Sequence, residues 1–169
     1  WLGAPREERF FKEPRIIVRQ IISGNPIRIY ASYTEEELYN SQIAFNLVSK
    51  NKEVNLKIIL GIINSNLMNF YHKERFLDQQ KNVFQKILIA NAKKFPIKIP
   101  SRDQSKKIVK LVDRIILLRK ILHESNSTGS EKERLEQQIK NIDYEIDQEV
   151  YKLYGITKEE QKIIEESLK

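Results

Sequence analysis

Residues 60–76 read LGIINSNLMNFYHKERF, and how that stretch is read decides the fold. With the residues just before it, it carries Leu56, Ile59, Leu60, Ile63, Leu67 and Phe70 at spacings of three and four. That is the period of a helix with one buried face, and it predicts a single long helix over residues 54–71. Inside the apolar run stands Asn64-Ser65-Asn66, and His72-Lys73-Glu74-Arg75 follows it. Such a triplet, followed by charges, is compatible with a catalytic pocket, a surface that reads a groove, or an ordinary helix end.

The residues on either side of this helix read as strands. Residues 14–23 (PRIIVRQIIS) are rich in Ile and Val. Gly24-Asn25-Pro26 signals a turn, and residues 27–32 (IRIYAS) alternate as a returning strand. Residues 42–48 (QIAFNLV) form a third strand candidate. Residues 83–89 (VFQKILI) and 95–99 (FPIKI) are short strands around a polar bend. Strands, one long helix, then strands, with no regular alternation, predict an α+β domain with a mixed sheet over residues 1–100.

After Pro100 the pattern changes. Ser101 stands where a helix N-cap belongs, and Ile108, Leu111, Val112, Ile115, Leu118 and Leu122 form one apolar stripe. Leu135, Ile139, Ile142, Ile146, Val150 and Leu153 form a second stripe beyond the polar turn ESNSTGS. A short turn makes the two helices antiparallel. Residues 101–169 are therefore expected to be a helical hairpin with a helical tail, its stripes used up mainly by mutual packing and its core separate from that of residues 1–100. The charges agree with pairing: residues 101–123 hold 7 basic and 2 acidic groups, and residues 131–151 hold 3 and 7.

The chain has 169 residues and a net charge of +7, all of it carried by residues 1–100, which hold 16 Lys and Arg against 9 Asp and Glu. A basic domain suits a polyanionic partner, because neutralised phosphates release counterions. No run approaches the roughly 18 apolar residues of a membrane span, and no signal-peptide layout opens the chain. The absence of cysteine excludes disulfides and thiolate chemistry and fits a cytoplasmic protein. Trp1 in place of an initiator Met suggests a piece of something larger.

Catalytic material is scarce. His72 and His123 are the only histidines, and neither has a ligand partner at helical spacing. There is no glycine-rich phosphate loop. Asp143 and Asp147 lie one turn apart in an acidic helix beside a basic one, which reads as a solvated face. What remains is a set of basic side chains on the α+β part: Arg6, Arg9, Arg15, Arg19, Arg28, Lys73, Arg75, Lys86, Lys93, Lys94 and Lys98. Arginine can read guanine with its planar fork, whereas lysine more often neutralises phosphate; Gln20, Asn25, Gln42, Asn64, Asn82 and Gln85 are of the type that reads adenine. An ordinary solvated basic surface has the same composition.

Four stretches carry a resemblance: WLGAPREERFFKEPRIIVRQI at the start, ILGIINSNLMNFYH at residues 59–72, FPIKIP at 95–100 and IDYEIDQEVYKLYGITKEEQKIIE at 142–165. In this order they resemble the TaqI-like C-terminal specificity domain of adenine-N6 DNA methyltransferases and type IIG restriction–modification enzymes. Arg15 stands where that family often has Lys, and Asn66 where Lys often follows Asn-Ser. The resemblance implies a sequence-specific double-stranded DNA recognition module, not itself an enzyme. Its partner would be a methyltransferase domain of the same parent chain. S-adenosylmethionine, and Mg2+ where a nuclease is present, would belong to the parent. It further implies Arg6, Arg15, Arg19, Arg75, Lys86, Lys93 and Lys94 as DNA contacts, a structural role for Asn64-Ser65 with the basic end of that helix, His72 to Arg75, meeting the DNA instead, and a hairpin that serves as spacer. A protein-docking module with an incidental basic surface is the alternative.

Overall fold

A computed structural model describes residues 7–22, 28–50, 54–77, 85–124 and 129–169. The β-branched run Arg15–Arg19 forms strand β1, after the one-turn helix α1 (Arg9–Lys12). β1 is central in a three-stranded antiparallel sheet, between β3 (Ala31–Thr34) and β4 (Ala44–Val48), with Ile17 opposite Ser32 on one side and Asn46 on the other. Alternation sends Ile16 and Val18 into the core.

The run predicted as one strand over 14–23 is broken at Gln20. There the backbone exchanges partners: Gln20 N–H donates to the Ile43 carbonyl at 2.8 Å, and its own carbonyl accepts from Ile87 N–H at 2.8 Å. Beyond it, β2 (Ile21–Ile22) pairs antiparallel with β5 (Gln85–Lys86). Every pairing among the described residues is antiparallel, so the class is α+β but the sheet is not mixed. The predicted turn at 24–26 and Ile27, Val83 and Phe84 lie outside the described residues. Ile89 opens a short helix, α4 (Ile89–Ala92), instead of closing a strand. Residues 95–99 form no strand: Ile97 N–H turns back onto the Phe95 carbonyl at 2.9 Å, and Pro96 and Pro100 lack the N–H a ladder needs. Tyr154 serves that segment instead: its hydroxyl donates to the Pro96 carbonyl at 2.6 Å and accepts from Lys98 N–H at 3.0 Å.

The predicted long helix is two helices, α2 (Leu56–Asn64) and α3 (Asn66–Phe76). Ser65 between them is extended, with φ −64° and ψ 155°. Its hydroxyl accepts from Met68 N–H at 3.3 Å, capping α3, and donates back to the Ile62 carbonyl at 2.7 Å, closing α2.

The hairpin matches its expected pattern: α5 (Arg102–Glu124) runs antiparallel to α6 (Ser130–Tyr154), and all six residues of the second stripe are buried. Gly155 ends α6 with φ 73°, a left-handed conformation that favours glycine. A capping box of Thr157 and Glu160 then starts α7 (Lys158–Ser167). Among the described residues no helix is long and apolar enough to cross a membrane.

One expectation fails clearly. A single hydrophobic cluster runs from Ile16 and Phe45 through α2 into Ile108, Val112, Ile142 and Ile146, so there are not two cores separated at Pro100. A Cβ on Gly61 in α2 would come within 3.1 Å of Ile108 Cγ2 and 3.2 Å of Val112 Cγ2. Glycine, which costs about 1 kcal/mol against alanine inside a helix, is kept there because it lets α2 and α5 approach. Lys57 and Asp113 add an ion pair of 2.6 Å across the same junction. Gly61→Val should therefore overpack that junction and cost about 1–3 kcal/mol. Urea denaturation should show one shifted transition when helix content and tyrosine environment are followed together; two separated transitions would mean independent cores.

Candidate nucleic-acid interface

The polar triplet contacts backbone on both sides of the break. Asn64 faces the free edge of β3, where its Oδ1 accepts from Ala31 N–H at 3.1 Å and its Nδ2 donates to the Ala31 carbonyl at 3.0 Å. The carboxylate of Asp147, from α6, accepts from Asn66 N–H at 2.7 Å. Asn69, one turn into α3, accepts from Ile29 N–H at 2.6 Å and donates to the carbonyls of Asn64 and Ser65 at 3.1 and 2.7 Å. The triplet is a joint that holds an edge strand on one side and the hairpin on the other. Asn64 is thus not available in the way a base-reading amide would have to be.

The seven basic positions have different fates. Arg6 lies outside the described residues. Arg15 is fully buried, with its guanidinium donating to the carbonyls of Glu13 and Leu38 at 3.0 and 2.9 Å. It is held there because α1 and residues 35–40 cover that end of the outer sheet face, with Phe11 stacked on Tyr39 at 4.9 Å. The expectation that Arg15 contacts DNA is therefore corrected: it braces a loop. Arg19, four residues on and on the same face, is exposed beyond that cover, with its guanidinium 5.8 Å from the centroid of the Tyr30 ring. Lys86 is exposed in β5 opposite Ile21, so it is carried on the partner of β2, the strand that follows Arg19 past Gln20.

Arg75, Lys93 and Lys94 are exposed around a second feature. Lys93 and Lys94 lead into Phe95, whose ring meets Tyr71, His72 and Phe76 of α3 at 6.4, 5.9 and 6.5 Å. Arg75 lies on the last turn of that same helix. The stretch from His72 to Arg75 is not one basic end, however. His72 is buried among those rings, and Lys73 donates to the Ser167 carbonyl of α7.

A groove of about 520 Å³ opens between β3, the α2–α3 break and the hairpin, with Arg19, Arg28, Tyr30, Arg119, Asp143 and Asp147 among its lining. The two aspartates are not one solvated face. Asp143 is exposed and pairs with Arg119 at 3.5 Å, whereas Asp147 is 8% exposed. Asp147 precedes Tyr151 by one turn, and Tyr151 is itself fully buried. A row flanking the main stripe is thus also covered, which only the docking of α3 and α7 explains. Tyr30 and Asn69 escape a reading by residue type, since neither is basic, and Asp147 has a buried role that its expected solvated face does not include.

Residues 2–97 match the family described as the TaqI-like C-terminal specificity domain. The chain belongs to that family. Among solved structures this chain is similar to the type IIL restriction–modification enzyme MmeI in complex with DNA, with a TM-score of 0.62 and 18% identity. The likeness covers 86% of this chain and 19% of the MmeI chain. It cannot fit within residues 1–100, so the shared fold includes much of the hairpin as well as the specificity domain proper. No curated protein sequence matches the chain.

Burial raises Asp147 to about 7; the Asn66 N–H and Arg28 oppose that rise, while Asp143 and Glu165 add to it. Burial alone lowers His72 to about 4. As pH falls from 6.5 to 4, the unfolded chain protonates His72 and the folded one does not, so stability is lost. Over the same window folded Asp147 already holds a proton that the unfolded chain has yet to take up, so stability is gained. Each slope is at most about 1.4 kcal/mol per pH unit, and the two oppose. Asp147→Asn, which keeps an acceptor for Asn66, should lose stability in acid more steeply than the parent, and His72→Gln less steeply. Urea midpoints at several pH values in that window measure both.

Proposed function

We propose that this chain is the sequence-specific double-stranded DNA recognition module of a restriction–modification enzyme. In this reading the rest of the parent is a DNA adenine-N6 methyltransferase, with or without a nuclease, acting in the cytoplasm. The observation that carries the proposal is membership of the specificity-domain family by a chain whose basic excess is displayed: Arg19, Arg75, Lys86, Lys93 and Lys94 are all exposed. The likeness to MmeI, whose structure was solved in complex with DNA, supports it.

The chemistry would be the parent's. Among the described residues no group of three or more His, Cys, Asp or Glu could hold a metal ion. In this reading S-adenosylmethionine, and Mg2+ for a nuclease, would be held by the remainder of such a parent, as membership of the family implies. The hairpin is assigned to positioning. Its second helix is acidic and suits phosphate poorly, while Leu117 and Ile121, one turn apart on α5, are 57% and 39% exposed. That exposed pair is what favours a docking role, and it is compatible with DNA recognition by the other part.

Lysines serving phosphate act through counterion release, so their loss has a defined signature. Lys86→Ala, Lys93→Ala and Lys94→Ala should each weaken cognate and random duplexes alike and lower the slope of log affinity against log salt by about one. Fluorescence anisotropy across a salt series reads this directly. Binding that ignores salt, or that prefers RNA of equal length, would count against the proposal.

A further inference from the structure

The backbone from Arg28 to Ala31 is gripped from behind by asparagine side chains. Asn69 holds Ile29 N–H at 2.6 Å, and Asn64 holds both polar groups of Ala31 at 3.1 and 3.0 Å. Because Asn69 also donates to the Asn64 and Ser65 carbonyls, both grips are anchored at the same helix break. Between them Ile29 is driven into the core and is 4% exposed. Its neighbours Arg28 and Tyr30 are exposed, as alternation along an extended chain requires. Arg19 joins them from β1, its guanidinium over the Tyr30 ring. The clamp thus fixes the depth of a small exposed edge made of two arginines and a tyrosine.

The groove beside that edge points to the kind of group it meets. Arg19, Arg28 and Arg119 share it with Asp143 and Asp147, over a floor that includes Gly61 and Ile115. A phosphate offers only acceptors and negative charge, and would meet two carboxyl groups there. A base edge offers donors and acceptors together, and its flat face can lie on a tyrosine or a guanidinium. We infer that Arg28 and Tyr30 form a base-reading edge, with Arg19 supporting Tyr30, and that Asn64 is a positioning residue setting how they are presented. The inference rests on the DNA-recognition reading proposed above.

The test is selection from a pool of randomised duplexes by the full-length protein that contains this chain, at temperatures well below each variant's melting midpoint. The parent is expected to enrich one sequence. Arg28→Ala should reduce discrimination at one or two positions by roughly 10- to 100-fold, with binding to random duplex and its salt slope nearly unchanged. Asn64→Asp keeps the acceptor for Ala31 N–H but cannot donate to the Ala31 carbonyl. It should lose discrimination at the same positions, which a role confined to stability would not produce. If both variants enrich the parent's sequence to the same degree, this inference is overturned and DNA recognition stands. If Arg28→Ala weakens every duplex equally and lowers the salt slope by about one, Arg28 is a phosphate contact and the inference also falls. A parent that binds no duplex and enriches nothing overturns both readings.

Discussion

Ending one helix and starting another inside a core leaves several backbone donors and acceptors without intrahelical partners, and burying them unpaired costs on the order of 1–3 kcal/mol each. At Ser65 those needs are met by groups brought together from three parts of the chain. The Ser65 hydroxyl serves Ile62 and Met68, Asn69 serves the Asn64 and Ser65 carbonyls, and Asp147 serves Asn66 N–H. The same amides reach outward to Ile29 and Ala31. Edge strand, helix break and hairpin therefore depend on one hydrogen-bond network, and moving any of them strands a polar group belonging to another.

That network gives the single core its consequence for function. The apolar contact of Gly61 with Ile108 and Val112 would by itself allow α2 to slide or rotate on α5, since apolar surfaces carry little directional preference. The hydrogen bond from Asn66 to Asp147 does not allow it, because its geometry is lost over a fraction of an ångström. The role proposed for the hairpin, holding a recognition edge in register, needs this kind of contact. Burial of a carboxyl group to 8% exposure is the cost of having it.

How much of this was legible in the sequence depended on whether a pattern reports on its own element or on a neighbour. The two hairpin helices were legible because each stripe repeats over about four or five turns, and all six stripe residues from Leu135 to Leu153 are buried. The α+β class and the strands around Ile16 and Phe45 were legible from β-branched runs. The break at Ser65 was not: helical periodicity on both sides continues through it, and what decides it is a strand edge more than thirty residues away, at Ala31. Nor was the burial of Arg15, which has the same sequence character and the same sheet face as Arg19. It is buried by the covering loop at Leu38, whose approach no local pattern records. Periodicity likewise treated Pro100 as a boundary between cores, since it cannot see that α5 turns part of its stripe toward α2.

Net charge and readout part company for a related reason. The excess of +7 attracts a polyanion, but an excess by itself has no address along the duplex. The exposed lysines at 86, 93 and 94 end in flexible, strongly hydrated point charges, which suit phosphates at variable positions. Arg28 and Tyr30 sit instead on backbone pinned by two asparagines, beside carboxyl groups that make the spot poor for phosphate. A fixed fork and a fixed ring can tell one base edge from another only if the backbone under them does not yield to whichever base arrives. Rigidity at Ile29 and Ala31 is therefore a requirement of discrimination there, while the lysines can stay mobile without loss.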